Sequence, residues 1–400
     1  MWQMGKGPEK SGTRRLVLLG AAHSSNHSLF LISSPLLTVI VAGLNVNLAD
    51  IGLVATIASL IYGVGSLVGG PLGDRIGEVK TIIISLAFSG LATLIMLATG
   101  LVSTIYIYAL SLITMAVFAS LYHPTANSLI SKAFKTKVSE SMGIHGVGGT
   151  IGTVLTPTIA WFIGITFGWQ WSFVVFGILC VVLALIFIKS FKGAEVRDNA
   201  PGSILDALKI RELWVLLIFN VAIGLFMKGV ELYFPTYVKT NRLPGLNPQD
   251  ALMWSSIAYT LVLAVGVPAQ WIGGRYADRI SPKKVLIATS TGVCISLLSI
   301  LLVPMYTLGI GLFIVLYGLS FYAHQPALNS LTGLLSPQNQ RGAVFGIFFF
   351  TSFGIGSLSQ FIAGYMGDVY GLDAAFWLLA IFALIALILS FFLPGKKSNE

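Results

Sequence analysis

The sequence predicts an all-α membrane protein of twelve transmembrane helices in two six-helix halves. Three observations predict it. The 400 residues are 56% hydrophobic and 10% charged, with a mean hydropathy of +0.87, whereas a soluble domain is about 25% charged. The apolar residues fall into runs of roughly 20, long enough to cross about 30 Å of hydrocarbon as a helix. A landmark sequence in the first half returns in the second, as expected of a duplicated structural unit.

In chain order the runs lie near 16–44, 51–72, 81–99, 103–126, 141–166 and 171–190, then 213–238, 251–273, 285–303, 307–332, 342–366 and 373–393. The first follows Arg14-Arg15 and is too long for the short apolar core of a cleaved signal peptide, so it is expected to stay as a helix. Residues 1–190 form the first half, 191–212 a charged cytoplasmic linker and 213–400 the second half. Within the linker, Ser203 through Lys209 suits either a short interfacial helix or plain chain.

Charge position sets the orientation. Of the 24 basic residues, all but Lys228, Lys239 and Arg242 fall in the tails and in loops on the amino-terminal side. Cytoplasmic loops carry such an excess, so both termini are expected in the cytoplasm of a multi-pass protein of the plasma (inner) membrane. The net charge of +9 therefore reports topology, and no nucleic-acid partner is implied. Cys180 and Cys294 both sit inside apolar runs, which implies neither a disulfide framework nor a Cys metal cluster.

The repeat is explicit. Gly69-Gly70-Pro71-Leu72-Gly73-Asp74-Arg75-Ile76-Gly77 recurs as Gly273-Gly274-Arg275-Tyr276-Ala277-Asp278-Arg279-Ile280-Ser281. Pro124-x-x-Asn127-Ser128-Leu129 matches Pro326-x-x-Asn329-Ser330-Leu331, and Gly168 through Phe173 matches Gly371 through Phe376. Tight turns alone would favour Gly and charge at such places, but they do not explain Asp-Arg after Gly-Gly twice.

Twelve spans, the six-plus-six repeat, the charged central loop and Gly70-x-Leu72-Gly73-Asp74-Arg75-x-Gly77 together resemble the major facilitator superfamily of secondary transporters, over the whole chain. The resemblance implies a latch in which Asp74 engages a neighbouring helix end and Arg75 pairs across the cytoplasmic face, with Asp278 and Arg279 as its second copy. Glu78-Val79 stands where the family has a basic pair. A narrower likeness rests on His23-x-x-Asn26, Tyr122-His123-Pro124 with Ser128, and Gly146-Val147-Gly148-Gly149-x-x-Gly152 with Pro157. These are similar to the fosmidomycin-resistance branch, whose members are efflux proteins. Gly143, Gly152 and Pro157 also form a partial antiporter signature, suited either to a helix that rocks or seals or to ordinary close packing. The Arg of the exporter pattern in the fourth span is absent.

In this fold spans 1, 4, 7 and 10 are expected to line a central cavity, and the sequence marks the same four. His23 and His27 lie in span 1, His123 in span 4 and His324 in span 10; His145, in span 5, falls outside that set. Lys228 and Glu231 in span 7 are three residues apart on one helix face, where they can neutralise each other. Such intramembrane charges are functional candidates by default, although a structural clasp would need the same pairing. At the repeat offset His27 corresponds to Glu231 and Ser24 to Lys228. Asn26, Tyr122, Asn127, Gln325 and Asn329 complete the candidate substrate- and proton-binding set, while Gly70 joins the gating residues. His23-x-x-x-His27 is also metal-ligand spacing. No Cys, Asp or acidic loop signature accompanies it, so no metal and no cofactor are expected.

The expected function is proton-coupled export of small anionic or amphipathic organic compounds by a monomer that alternates its access. Protons would be carried by His23, His27, His123, Glu231 or His324, and the substrate anion met by Lys228. Uptake of an organic anion by proton symport fits the same residues. A non-transporting membrane sensor is a third reading, disfavoured because no added soluble domain is present. No catalytic triad or Walker-type loop appears, so the chain is not expected to be an enzyme.

Overall fold

A computed structural model describes residues 9–102, 104–133, 138–191, 208–336 and 341–394. The central loop 192–207, including most of the Ser203–Lys209 segment, lies outside the described residues. Among the described residues, twelve helices are long and apolar enough to cross a membrane. They are α1 (Gly12–Leu44), α2 (Leu48–Ile76), α3 (Glu78–Gly100), α4 (Ile105–Ala133), α5 (Ser141–Phe167) and α6 (Trp169–Ser190). The second series is α7 (Arg211–Arg242), α8 (Pro248–Arg279), α9 (Pro282–Leu302), α10 (Tyr306–Leu335), α11 (Ala343–Tyr370) and α12 (Leu372–Phe392). The protein is thus an all-helical, multi-pass membrane protein.

Two of the long helices are interrupted one turn before a proline, which removes the N–H that would bond the carbonyl four residues earlier. In α1 the helix breaks between Leu31 and Ser33, one turn before Pro35; in α4 it breaks at Ser120 and Leu121, one turn before Pro124. The equivalent Pro326 leaves α10 helical throughout. The repeat therefore preserves the residue but not the bend.

The turns keep the duplication. Asn47 accepts from the Asp50 N–H (2.8 Å) at the start of α2, and Asn247 accepts from the Asp250 N–H (2.9 Å) at the start of α8. Each side-chain oxygen satisfies a donor that the first helical turn leaves open. Gly168 (φ 104°) and Gly371 (φ 85°) occupy equivalent turns, where a side chain would be strained.

The chain clusters into two compact units, one of residues 1–46 with 57–201, the other of 47–56 with 202–400. In the first unit α1 and α5 meet through small residues. A Cβ on Gly148 would collide with the Gly20 backbone, and one on Gly152 with Ser24. Leu16, Leu19, Tyr122, Leu129 and Phe187 belong to the buried core of this unit. In the second unit, residues 47–56 are joined to α11 by specific polar contacts. Asp368 accepts from the N–H groups of Leu48 (3.1 Å) and Ala49 (2.7 Å), a carboxylate at a helix N-terminus. Tyr233 Oη donates to the Gln360 carbonyl (2.6 Å) beside Leu48 O, and Thr56 donates to Ser357 O (2.8 Å).

Two glycines in α5 separate packing from mere composition. Gly148→Val is expected to lower the thermal midpoint of detergent-solubilised protein, since overpacking costs about 1–3 kcal/mol. Gly143→Ala should leave it unchanged or raise it, because a Cβ there meets nothing within 4 Å. Thermal unfolding followed by tryptophan fluorescence tests both, and equal losses would contradict the Gly20–Gly148 contact.

Candidate functional site

Two polar centres form inside the spans, one in each unit. In the first unit His23 and His27, one turn apart on α1, place their Nε2 atoms 3.0 Å from each other. His123 follows the break in α4, with its ring 4.8 Å from that of His23 and 5.0 Å from that of His27. His145 joins them. Its ring stacks on His23 at 4.2 Å, and its carbonyl takes the His23 Nδ1–H at 2.8 Å. The sequence had left His145 outside the cavity set, since its place depends on how closely α5 approaches α1. The Gly146–Gly152 run was the available signal: a Cβ on Gly149 would lie 2.5 Å from the His23 ring.

Hydrogen bonding fixes the tautomers. A carbonyl only accepts, so His23 carries its proton on Nδ1 and presents a lone pair at Nε2. Tyr122 donates its hydroxyl hydrogen to Leu19 O (2.6 Å) and so accepts from His145 Nε2 (3.1 Å). Tyr122 is fully buried. Asn26 is also committed: its amide donates to Ala119 O (2.9 Å) and its oxygen accepts from Tyr62 (3.0 Å). These two expected site residues tie α1 to α4, α2 and α5. Asn127 is half-buried one turn beyond His123, and its carbonyl accepts from Ser131.

In the second unit Lys228 donates to both Glu231 oxygens, at 3.1 and 3.0 Å. The Lys228 side chain is 4% exposed and that of Glu231 19%. The ammonium also lies 4.7 Å from the centre of the Phe353 ring. Phe353 is presented by a π-helical turn, Phe350–Gly354, within α11, a local widening that often marks functional sites. Pro235, four residues after Glu231, deprives the Glu231 carbonyl of its helical partner. His324 bonds through Nδ1 to the Phe321 carbonyl, and the two rings pack at 4.9 Å. Gln325 accepts from Gln270 at 3.4 Å, and Asn329 is exposed.

The residues expected to gate divide in the same way. Asp74 accepts from Lys132, in the last turn of α4, at 3.0 Å; the buried Glu78 accepts from the same ammonium at 2.6 Å and from Ser128 at 3.3 Å. Glu78, which reads in sequence as a departure from the family pattern, supplies a second carboxylate to one lysine. Arg75, Asp278 and Arg279 are exposed, Gly70 lies beside Pro124, and Pro157 sits within α5. Arg242 reads in sequence as a loop residue. It is instead buried at the end of α7, donating to Ile300 O (2.8 Å) and Asp373 (3.1 Å) and bonding Tyr237.

The sequence matches the Major Facilitator Superfamily over residues 18–360. The chain belongs to this family. That membership makes it a transporter rather than an enzyme. It is 24% identical over 386 residues to the D-galactonate transporter of Escherichia coli O6:H1, covering 87% of each chain. It is also 24% identical over 326 residues to the fosmidomycin resistance protein of Escherichia coli K12, covering 80% of this chain and 75% of that one. Among solved structures, a bacterial homologue of the human lysosomal transporter Spinster superposes with a TM-score of 0.77 at 16% identity, covering 96% of this chain and 97% of that one.

The Lys132 cluster has a measurable consequence. Lys132→Met is expected to destabilise the protein by about 3–5 kcal/mol, because it strands the buried Glu78 carboxylate. Adding Glu78→Gln should restore most of the loss, and a double-mutant cycle in thermal stability reads the coupling. Additive losses would show that Lys132 does not hold Glu78.

Proposed function

We propose that this transporter moves a small organic anion together with a proton, using Lys228 as the anion contact and Glu231 as the proton carrier. The observation that carries the reading is the two-pronged Lys228–Glu231 ion pair inside α7. Breaking a buried pair from one side leaves an uncompensated charge, at a cost of about 3–5 kcal/mol. Protonation of Glu231 alone would strand Lys228, and an anion bound to Lys228 alone would face a charged Glu231. When both ligands arrive, the proton neutralises Glu231 and the anion takes its place at Lys228. Each ligand thus raises affinity for the other, which is reciprocal coupling.

Co-binding of proton and anion is the requirement for symport, so an inward proton gradient drives uptake. The similarity to a D-galactonate transporter supports an organic anion as the substrate class. Export by antiport is the second reading, favoured by the similarity to the fosmidomycin resistance protein. It requires proton and substrate to exclude each other, which the pair supports less well.

The test is reconstitution in liposomes enclosing a pH-sensitive dye, challenged with sugar acids such as D-galactonate and with phosphonates such as fosmidomycin. Symport predicts that adding external anion acidifies the lumen, whereas antiport predicts proton movement opposite to the anion. Glu231→Gln should abolish proton-driven accumulation while leaving exchange of labelled anion in place. Lys228→Gln should weaken anion binding at least about thirtyfold, since truncating one partner of a buried charge pair costs 2–5 kcal/mol or more. Unimpaired proton coupling in Glu231→Gln would overturn the assignment.

A further inference from the structure

The histidine pocket of the first unit has a geometry that a proton store does not require. Two imidazole nitrogens point at each other from successive turns of α1, and a third ring closes on them from α4. One nitrogen from each of His23, His27 and His123 lies within 4.8 Å of the others. Two nitrogens bound to one ion at about 2.1 Å each, at a tetrahedral angle, are about 3.4 Å apart. The His23–His27 pair, at 3.0 Å, is already near that spacing. Bringing the third nitrogen in requires a shift of at most about 1.4 Å.

The surroundings hold His23 in the required state. A metal-bound imidazole normally donates its other N–H to a fixed acceptor, which sets the tautomer and aims the lone pair. His23 does this through Nδ1 to the His145 carbonyl. The stacked His145 ring, itself held by Tyr122, limits rotation of the His23 ring. Two positively charged imidazoles with centroids 4.7 to 5.0 Å apart would repel, so the cluster disfavours a second positive ring. The 3.0 Å contact is a hydrogen bond donated by His27 Nε2–H to the His23 Nε2 lone pair; a divalent ion displaces that proton from His27 Nε2 and then engages three lone pairs at once. Neutral nitrogen donors select the zinc class of transition metals, and the set offers no oxygen ligands for calcium or magnesium.

We propose that His23, His27 and His123 form a binding site for one divalent transition-metal ion of the zinc class, joining α1 to α4 within the first unit. Three protein ligands leave a coordination position for water or an anionic group. This site does not depend on the Lys228–Glu231 reading, because its residues belong to a different unit and its test needs no transport.

Untagged full-length protein in detergent, titrated with Co2+ and then displaced by Zn2+, reports the site directly. One ion per chain is expected, with the intense visible bands of tetrahedral nitrogen coordination and no thiolate charge-transfer band. His27→Ala and His123→Gln should each weaken affinity by at least about 100-fold, beyond the 10–100-fold cost of losing an outer-shell partner. His145→Ala keeps the backbone acceptor and should cost about tenfold or less; His324→Ala should change nothing. Absence of the tetrahedral spectrum in the unmutated protein overturns the proposal without reference to any variant's folding. Undiminished binding in His27→Ala and His123→Gln, or a thiolate band implicating cysteine, overturns it as well.

Discussion

A charge placed in hydrocarbon costs at least about 2.5 kcal/mol, so the buried ionisable side chains of this protein are defined by what sits beside them. Lys228 has both oxygens of Glu231 and the face of Phe353. Glu78 has Lys132 and Ser128, and Arg242 has Asp373, Tyr237 and a carbonyl of α9. These three arrangements differ in what could replace the partner. Glu78 is held by two groups on α4, and Arg242 by groups on α9 and α12. Lys228 instead relies on a carboxylate one turn along the same helix, which a proton can neutralise without moving the backbone. That contrast supports the coupling role proposed for the α7 pair.

The same constraint extends to uncharged groups. Within the spans, Ser and Thr hydroxyls repeatedly donate to carbonyls three or four residues earlier, as in Thr156 to Gly152 and Ser296 to Val293. Such bonds satisfy the hydroxyl locally and leave the outer helix surface apolar. Where small residues replace bulk, helices come close enough for side chains from one to meet the backbone of another. The Gly148–Gly20 contact brings the His145 carbonyl within reach of His23. Removing side-chain volume from α5 thus builds the histidine pocket.

The spans were legible because hydropathy over about 20 residues has few competing explanations, and the duplicated Gly-Gly and Asp-Arg landmarks ordered them. His23 with His27 and Lys228 with Glu231 were legible because one-turn spacing alone puts side chains together. What sequence did not show was rotation between helices. His145 was set aside by span number, yet α5 turns it onto His23. Asn26 and Tyr122 looked like ligands for a substrate but are occupied by Ala119, Tyr62, Leu19 and His145. Glu78 and Arg242 were read by their position in a motif and a loop, whereas their partners Lys132 and Asp373 lie far along the chain.

The repeat exposes a division of labour that neither half shows alone. His27 and Glu231 are equivalent positions, as are Ser24 and Lys228. Duplication gave both halves the same helical sites, but they carry opposite kinds of chemistry. The second half holds a full charge pair, which the proposed coupling would open by exchanging counter-charges. The first holds a cluster of imidazoles, which the proposed metal site would use as lone-pair donors. A carboxylate at His27's position, close to other rings on α1 and α4, would favour a charged histidine and convert a ligand set into an ion pair. A histidine at that position therefore suits the proposed cation site in one half, while the proposed anion contact stays in the other.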